Sequence, residues 1–146
     1  MCLHIDSEYH PKYGFGHPFV ADRPLVVWKR LMDVTSTDGY SPYQGTRWVF
    51  GKERSARFTF ADRRRLVEAG LHAFFSENAP RVFNNKLYPC VIPIGAQFFI
   101  GEGGEVVANR MIVYFTEAKM LSAFRVKKMG NPVKRSYYRE QQEKAQ

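Results

Sequence analysis

Cysteine is scarce in this chain, with two in 146 residues, at positions 2 and 90, and two are too few to staple a fold. Cys90 stands inside an apolar run, so a small buried hydrophobe is expected there and not a reactive thiol. Long hydrophobic runs are missing as well. No stretch reaches the roughly 20 apolar residues of a membrane-spanning helix. The opening MCLHIDSEYH has neither the basic start nor the apolar centre of a signal peptide. These absences predict a cytoplasmic protein without a membrane partner. Zinc-type spacing is also lacking, since Cys2, His4, Asp6, Glu8, His10 and His17 include no Cys-x-x-Cys or His-x-x-x-His pair; no metal site is expected. A P-loop, a G-x-S-x-G elbow, internal repeats and low-complexity linkers are all missing, which removes the sequence signatures of P-loop nucleotide hydrolysis and of the serine-elbow hydrolases.

Acids are in deficit, with 14 Asp and Glu against 22 Lys and Arg, a net charge of +8. The excess is uneven. Residues 119–146 carry eight basic side chains against two acids, so +6 of the +8 lies in the last 28 residues. Within that tail Arg125, Lys127, Lys128, Lys134, Arg135 and Arg139 are the candidate contacts to an acidic partner or nucleic acid.

What is present reads as sheet. Tyr88 to Phe115, YPCVIPIGAQFFIGEGGEVVANRMIVYF, joins two β-branched and aromatic runs through a glycine cluster, the pattern of an antiparallel hairpin. GEGGE has no Lys-Ser/Thr and carries two carboxylates, so a turn is expected and not a phosphate cradle. LVVWKRLM (25–32), TRWVF (46–50) and LHAFF (71–75) are further strands, and Asp38-Gly39 is a turn. Thr59 with Asp62 resembles a helix cap and predicts a short helix over 62–69, closed by Gly70. Ser76 predicts a second helix over roughly 77–83, and Ala118, Leu121, Ala123 and Phe124 predict a third over 116–128. Asn131-Pro132 starts a last one, too polar to make its own core. The expected fold is α+β, a mainly antiparallel sheet with two short inserted helices and a helical C-terminal extension. Residues 1–24 form an extended arm, 25–116 the core domain, and 117–146 the basic extension, whose helices could also join subunits in a homo-oligomer.

Four stretches carry a resemblance: Ser41-Pro42-Tyr43-x-Gly45, Gly70-x-His72-Ala73-Phe74, Cys90-Val91-Ile92-Pro93-x-Gly95-x-x-Phe98-Phe99-x-Gly101, and Glu105-Val106-Val107-Ala108-Asn109-Arg110-Met111-Ile112. Together they resemble an uncharacterised group of small domains from bacteriophages and bacteria, over roughly residues 25–115. Ile94 stands where those domains have a basic residue, and Phe98-Phe99 where they have tyrosines. The resemblance implies a phage-type protein acting in the host cytoplasm, against a host defence or host enzyme, and brings no reaction with it. The order of elements is also similar to that of the ADP-ribosyltransferase fold. That likeness implies NAD as cofactor and His72, Tyr43 and Glu105 as catalytic candidates.

The residues themselves argue better for binding than for catalysis. Trp28, Lys29, Arg30, Tyr40, Tyr43, Arg47 and Trp48 interleave flat rings with cations, a mixture that stacks on bases and neutralises phosphate. Arg30, Arg47 and Arg110 can each fork onto a phosphate. The candidate ligand site is therefore Lys29, Arg30, Tyr43, Arg47, Trp48, His72 and Arg110, with no cofactor. The expected function is a non-enzymatic accessory protein that binds a nucleotide, nucleic acid or host protein. An NAD-using transferase and a virion structural component are the alternatives.

Overall fold

The structure, a computed structural model, describes residues 3–6, 18–42, 45–63, 65–76 and 86–124. Thirteen strands, one α-helix and one short 3-10 turn are present among them. β1 is Leu3–His4, β2 Phe19–Val20, β3 Leu25–Leu31, β4 Asp38–Tyr40, β5 Arg47–Val49, β6 Glu53–Ser55 and β7 Thr59–Ala61. β8 is Leu66–Ala69, β9 Leu71–Phe74, β10 Lys86–Ile92, β11 Gln97–Ile100, β12 Glu105–Ala108 and β13 Arg110–Val113, and α1 spans Glu117–Phe124.

Every ladder is antiparallel. The hairpin read from the sequence is the spine. β10 runs into β11 around Pro93–Ala96, and β12 runs into β13 around Asn109, so each arm of the hairpin is one bent strand. Its tip is a turn at Glu102–Gly104, where Gly103 and Gly104 take φ of 74° and 83°, angles that glycine adopts without strain. The neighbours then close a ring. β10 pairs with β3, β3 with β9, β9 with β12, and β12 and β13 return to β11 and β10.

Alternation along these strands separates an inside from an outside. Leu25, Val27, Leu71, Ala73, Cys90, Ile92, Phe98, Ile100, Val106, Ala108, Met111 and Val113 fill the interior cluster. The residues between them point outward to two smaller clusters. Phe99 and Val107 meet Leu3, Ile5 and Val67 of the β1–β8–β7 sheet, with Phe58 and Phe60 set edge-on to Phe99 at 5.0 and 5.5 Å. Val91, Val26 and Ile112 meet Met120, Leu121 and Phe124 of α1. Cys90 is fully buried and its thiol is pushed up to about 12 by that burial, as suits a packing residue.

Two expectations are corrected. Residues 62–69 are not a helix: Asp62 and Arg63 take φ of 48° and 55° and reverse the chain between β7 and β8. The competing force is Val67, which enters the cluster around Phe99 and pairs with Leu3 from the far N-terminus, a partner that no local pattern reveals. Asp38-Gly39 belongs to β4 and not to a turn. The reversal comes earlier, where the Thr35 hydroxyl donates to the Asp38 carboxylate at 2.6 Å and the Thr35 N–H to the Asp38 carbonyl at 2.8 Å. Residues 53–55, which show no apolar alternation, form the edge strand β6 on β13. The expected helix over 77–83 and the tail beyond 124 lie outside the described residues; α1 begins the expected C-terminal helix. Among the described residues no helix is long and apolar enough to cross a membrane.

Candidate functional site

The ring is weakest between β3 and β9. Their ladder holds one pair, Trp28 opposite Phe74, and beyond it the strands part. Across the gap the Lys29 ammonium donates to the His72 carbonyl at 2.7 Å, a side-chain bond where a ladder would have used backbone. Splitting a ring exposes both of its faces at once. Lys29 and Leu71 come to the gap from the inside, and Arg30, His72 and Phe74 from the outside, while the β4–β5 hairpin brings Trp48 and the β6 edge brings Arg54. The result is a cleft of about 180 Å³, lined also by Ser41, Thr46, Ala56 and Gly70.

Lys29, Arg30 and Arg54 line it, and among the described residues no carboxylate does. Rings hold the cations in place: the Lys29 ammonium lies 4.9 Å from the centre of the Trp48 ring, the Arg54 guanidinium 5.6 Å from the same ring, and the Arg30 guanidinium 4.9 Å from Phe74. Arg54 also donates to the Arg47 carbonyl at 2.8 Å. Lys29 is 7% exposed, and burial lowers its pKa to about 8. His72 is lowered to about 4, first by burial and then by the charge of Lys29, so at neutral pH its ring is uncharged. Two buried nitrogens of residues that line the cleft, Trp48 Nε1 and His72 Nε2, have no hydrogen-bond partner among the described residues. A buried polar atom left so costs roughly 1–3 kcal/mol, which a ligand atom could recover.

The sequence candidates divide. Lys29, Arg30, Trp48 and His72 converge on the cleft. Arg47 does not line it; its Nε donates to the Asp38 carboxylate at 2.7 Å, and the Thr35 hydroxyl, then Arg47, hold that carboxyl below its ordinary pKa. Arg110 is likewise apart, donating to the Ile94 carbonyl at 2.9 Å with Glu53 at 3.6 Å. Glu105 sits on β12 opposite Phe74 and is not in the cleft lining; burial raises its pKa and the charge of Arg30 opposes the rise. Tyr43 and the tail candidates Arg125, Lys127, Lys128, Lys134, Arg135 and Arg139 lie outside the described residues. Arg54 and Phe74 were not among the candidates. Arg54 lies on a fully exposed edge strand whose sequence has no periodicity, and Phe74 reads as core from its neighbours.

A pH dependence follows from His72. Its folded pKa lies below the ordinary 6.5, so the folded state binds fewer protons than the unfolded chain between about 4 and 6.5. Stability contributed there is present above pH 6.5 and is lost as pH falls through this window. In urea titrations from pH 7 to 4, His72→Gln is expected to flatten that acid slope; an unchanged slope would show that other groups set it.

Comparison with protein-family models, with curated proteins and with solved structures finds no match to this chain.

Proposed function

We propose that this protein is a non-enzymatic binding module whose split-sheet cleft takes a nucleotide, and that it acts as a phage-type accessory protein by holding such a ligand, or a host molecule that carries one. The observation that carries this reading is the joint placement in one cleft of three cations, an indole wall and two nitrogens without a hydrogen-bond partner among the described residues, which bring no carboxylate to the lining. Each part has a matching group on a nucleotide. Lys29, Arg30 and Arg54 answer phosphate, Arg by its planar fork and Lys as a point charge. Trp48 Nε1 is a donor and needs an acceptor. His72 Nε2, on a neutral imidazole, either donates or accepts according to tautomer, and a nucleobase edge offers both kinds of partner.

The test is tryptophan fluorescence in low salt, titrating AMP, ADP, ATP, NAD and inorganic phosphate into a Trp28→Phe variant, so that Trp48 alone reports. Saturable quenching by the nucleotides is expected, with phosphate alone weaker. Arg54→Ala should weaken it about tenfold, since hydrogen bonds to a charged group are worth roughly 1.5–3 kcal/mol. No saturable response to any nucleotide would end this reading. Turnover of bound NAD during the titration would replace it with the transferase alternative.

A further inference from the structure

Lys29 lines the cleft and is nonetheless 7% exposed, and among the described residues no carboxylate pairs with its ammonium. Its surroundings disfavour the charge. Val27 and Leu31, two positions away on the same face of β3, are buried, Arg54 lies at the same indole ring, and the His72 ring is uncharged at neutral pH. Burial, and to a smaller extent the charge of Arg54, lower the pKa of Lys29 to about 8 against a rise from Cys90. At pH 7.5 about a quarter of such amines are uncharged, against about one in a thousand at the ordinary 10.5. An uncharged amine is a nucleophile, and desolvation or a neighbouring cation is how a lysine becomes one. Acyl transfer to it would need an activated donor with a leaving group. Carbon dioxide needs neither, and it is small and uncharged enough to reach an amine that is almost wholly covered.

We propose that Lys29 is a carbamate site, where the uncharged amine adds to carbon dioxide and the product is held by the guanidinium groups of Arg30 and Arg54. The nitrogen lone pair forms the new bond to carbon, one carbon-oxygen π bond opens onto oxygen, and the nitrogen gives one proton to solvent. An amine and carbon dioxide thus become an N-carboxylate and a proton, with nothing oxidised or reduced. The cleft suits this product in three respects. The carbamate nitrogen keeps one hydrogen and can still donate to the His72 carbonyl, to which the ammonium donates at 2.7 Å. Both arginines line the same cleft, and their planar forks match a carboxylate-like group. Trp48 Nε1 is a buried donor with no hydrogen-bond partner among the described residues, and a carbamate oxygen is an acceptor. The modification replaces a positive charge by a negative one where the nucleotide reading places phosphate. Its consequence rests on that reading: carbon dioxide opposes nucleotide binding.

The experiment is alkylative trapping. The full chain is equilibrated at pH 7.5 with isotope-labelled bicarbonate, or with chloride at matched ionic strength, then treated with triethyloxonium and mapped by peptide mass spectrometry. A labelled ethyl carbamate is expected on Lys29 and on the amino terminus, whose ordinary pKa of about 7.7–8.0 makes it an internal reference, and not on Lys52, Lys86 or Lys119. Urea should abolish the Lys29 label and spare the terminal one. Arg54→Ala, in protein whose near-UV circular dichroism matches the parent, should lower the Lys29 label about tenfold, and Arg54→Lys, which keeps the charge without the fork, by less. AMP affinity should fall severalfold in bicarbonate. A labelled terminus beside an unlabelled Lys29, or a Lys29 label indifferent to urea or to Arg54→Ala, would overturn the proposal. So would weaker AMP binding in bicarbonate without a trapped adduct, since bicarbonate would then be occupying the cleft as an ion. The nucleotide reading fails separately: a trapped Lys29 carbamate in a protein that binds no nucleotide keeps the site and removes only its consequence.

Discussion

Lys29→Met is expected to reduce nucleotide affinity by thirtyfold or more while leaving the fold as stable as before, or more so. Lys29 is one of three cations at the cleft and the most buried of them in its setting, inside the ring with Val27, Leu31, Tyr88 and Cys90 for neighbours. Taking an ammonium out of water is costly, and the lowered pKa of about 8 is the sign of that cost. Methionine keeps the length and flexibility of the side chain and removes the charge. What it forfeits is the charge-assisted bond to the His72 carbonyl, roughly 1.5–3 kcal/mol, so stability is set by two opposed effects of similar size. Affinity has no such compensation, because a bound phosphate loses a buried, weakly screened counter-charge worth on the order of 2 kcal/mol. The pH profile separates the roles. In the parent, affinity should fall as pH rises through 8 and the ammonium discharges. Folding stability should rise between about 8 and 10.5, because the folded state then holds fewer protons than the unfolded chain. Lys29→Met should lose both trends. Calorimetric titration and thermal melts from pH 7 to 10 measure them, and a variant that still binds like the parent would remove Lys29 from the site.

Gly70→Ala is expected to destabilise the protein by about 2–4 kcal/mol and to weaken the cleft with it. Gly70 joins β8 to β9 with φ of 154°, a conformation that side chains rarely adopt, and an added Cβ would stand 2.4 Å from a Val107 methyl and 3.1 Å from the Phe58 ring. Val107 is fully buried and faces His72 across the β9–β12 ladder. Relief by moving that methyl would therefore shift the strand that positions His72. The control is Gly45→Ala, at a positive φ with nothing within 4 Å of the added atom, which should cost about 1 kcal/mol from backbone strain alone. Chemical denaturation of both variants checks the pair. Equal losses would mean that crowding against Val107 and Phe58 contributes nothing.

How much of this was legible beforehand depended on whether the signal was local. The hairpin was, because Val91, Ile92, Phe98 to Ile100 and Val106 to Val113 are β-branched or aromatic on either side of a glycine turn. Residues 62–69 were misread, because the spacing of Leu66 and Val67 suits a helix and the pairing of Val67 with Leu3 overrides it from 64 positions away. The binding residues were half legible. Lys29, Arg30 and Trp48 announced themselves by cations next to rings. Arg47 and Arg110 gave the same signal and were claimed instead by Asp38, by the Ile94 carbonyl and by Glu53.

The sequence by itself determined the strands at 25–31, 47–49 and 71–74, the hairpin with its glycine tip, the cationic excess and the lack of any long apolar run, since each follows from residue types at short spacing. Tertiary structure alone decided that the sheet closes into a ring, that the ring splits beside Trp28 and Phe74, and that Arg54 from an edge strand meets Lys29 and His72 there. The reason is physical: a cleft made by a ladder that stops is a relation between strands 40 residues apart, and local preference specifies strands but not where two of them part.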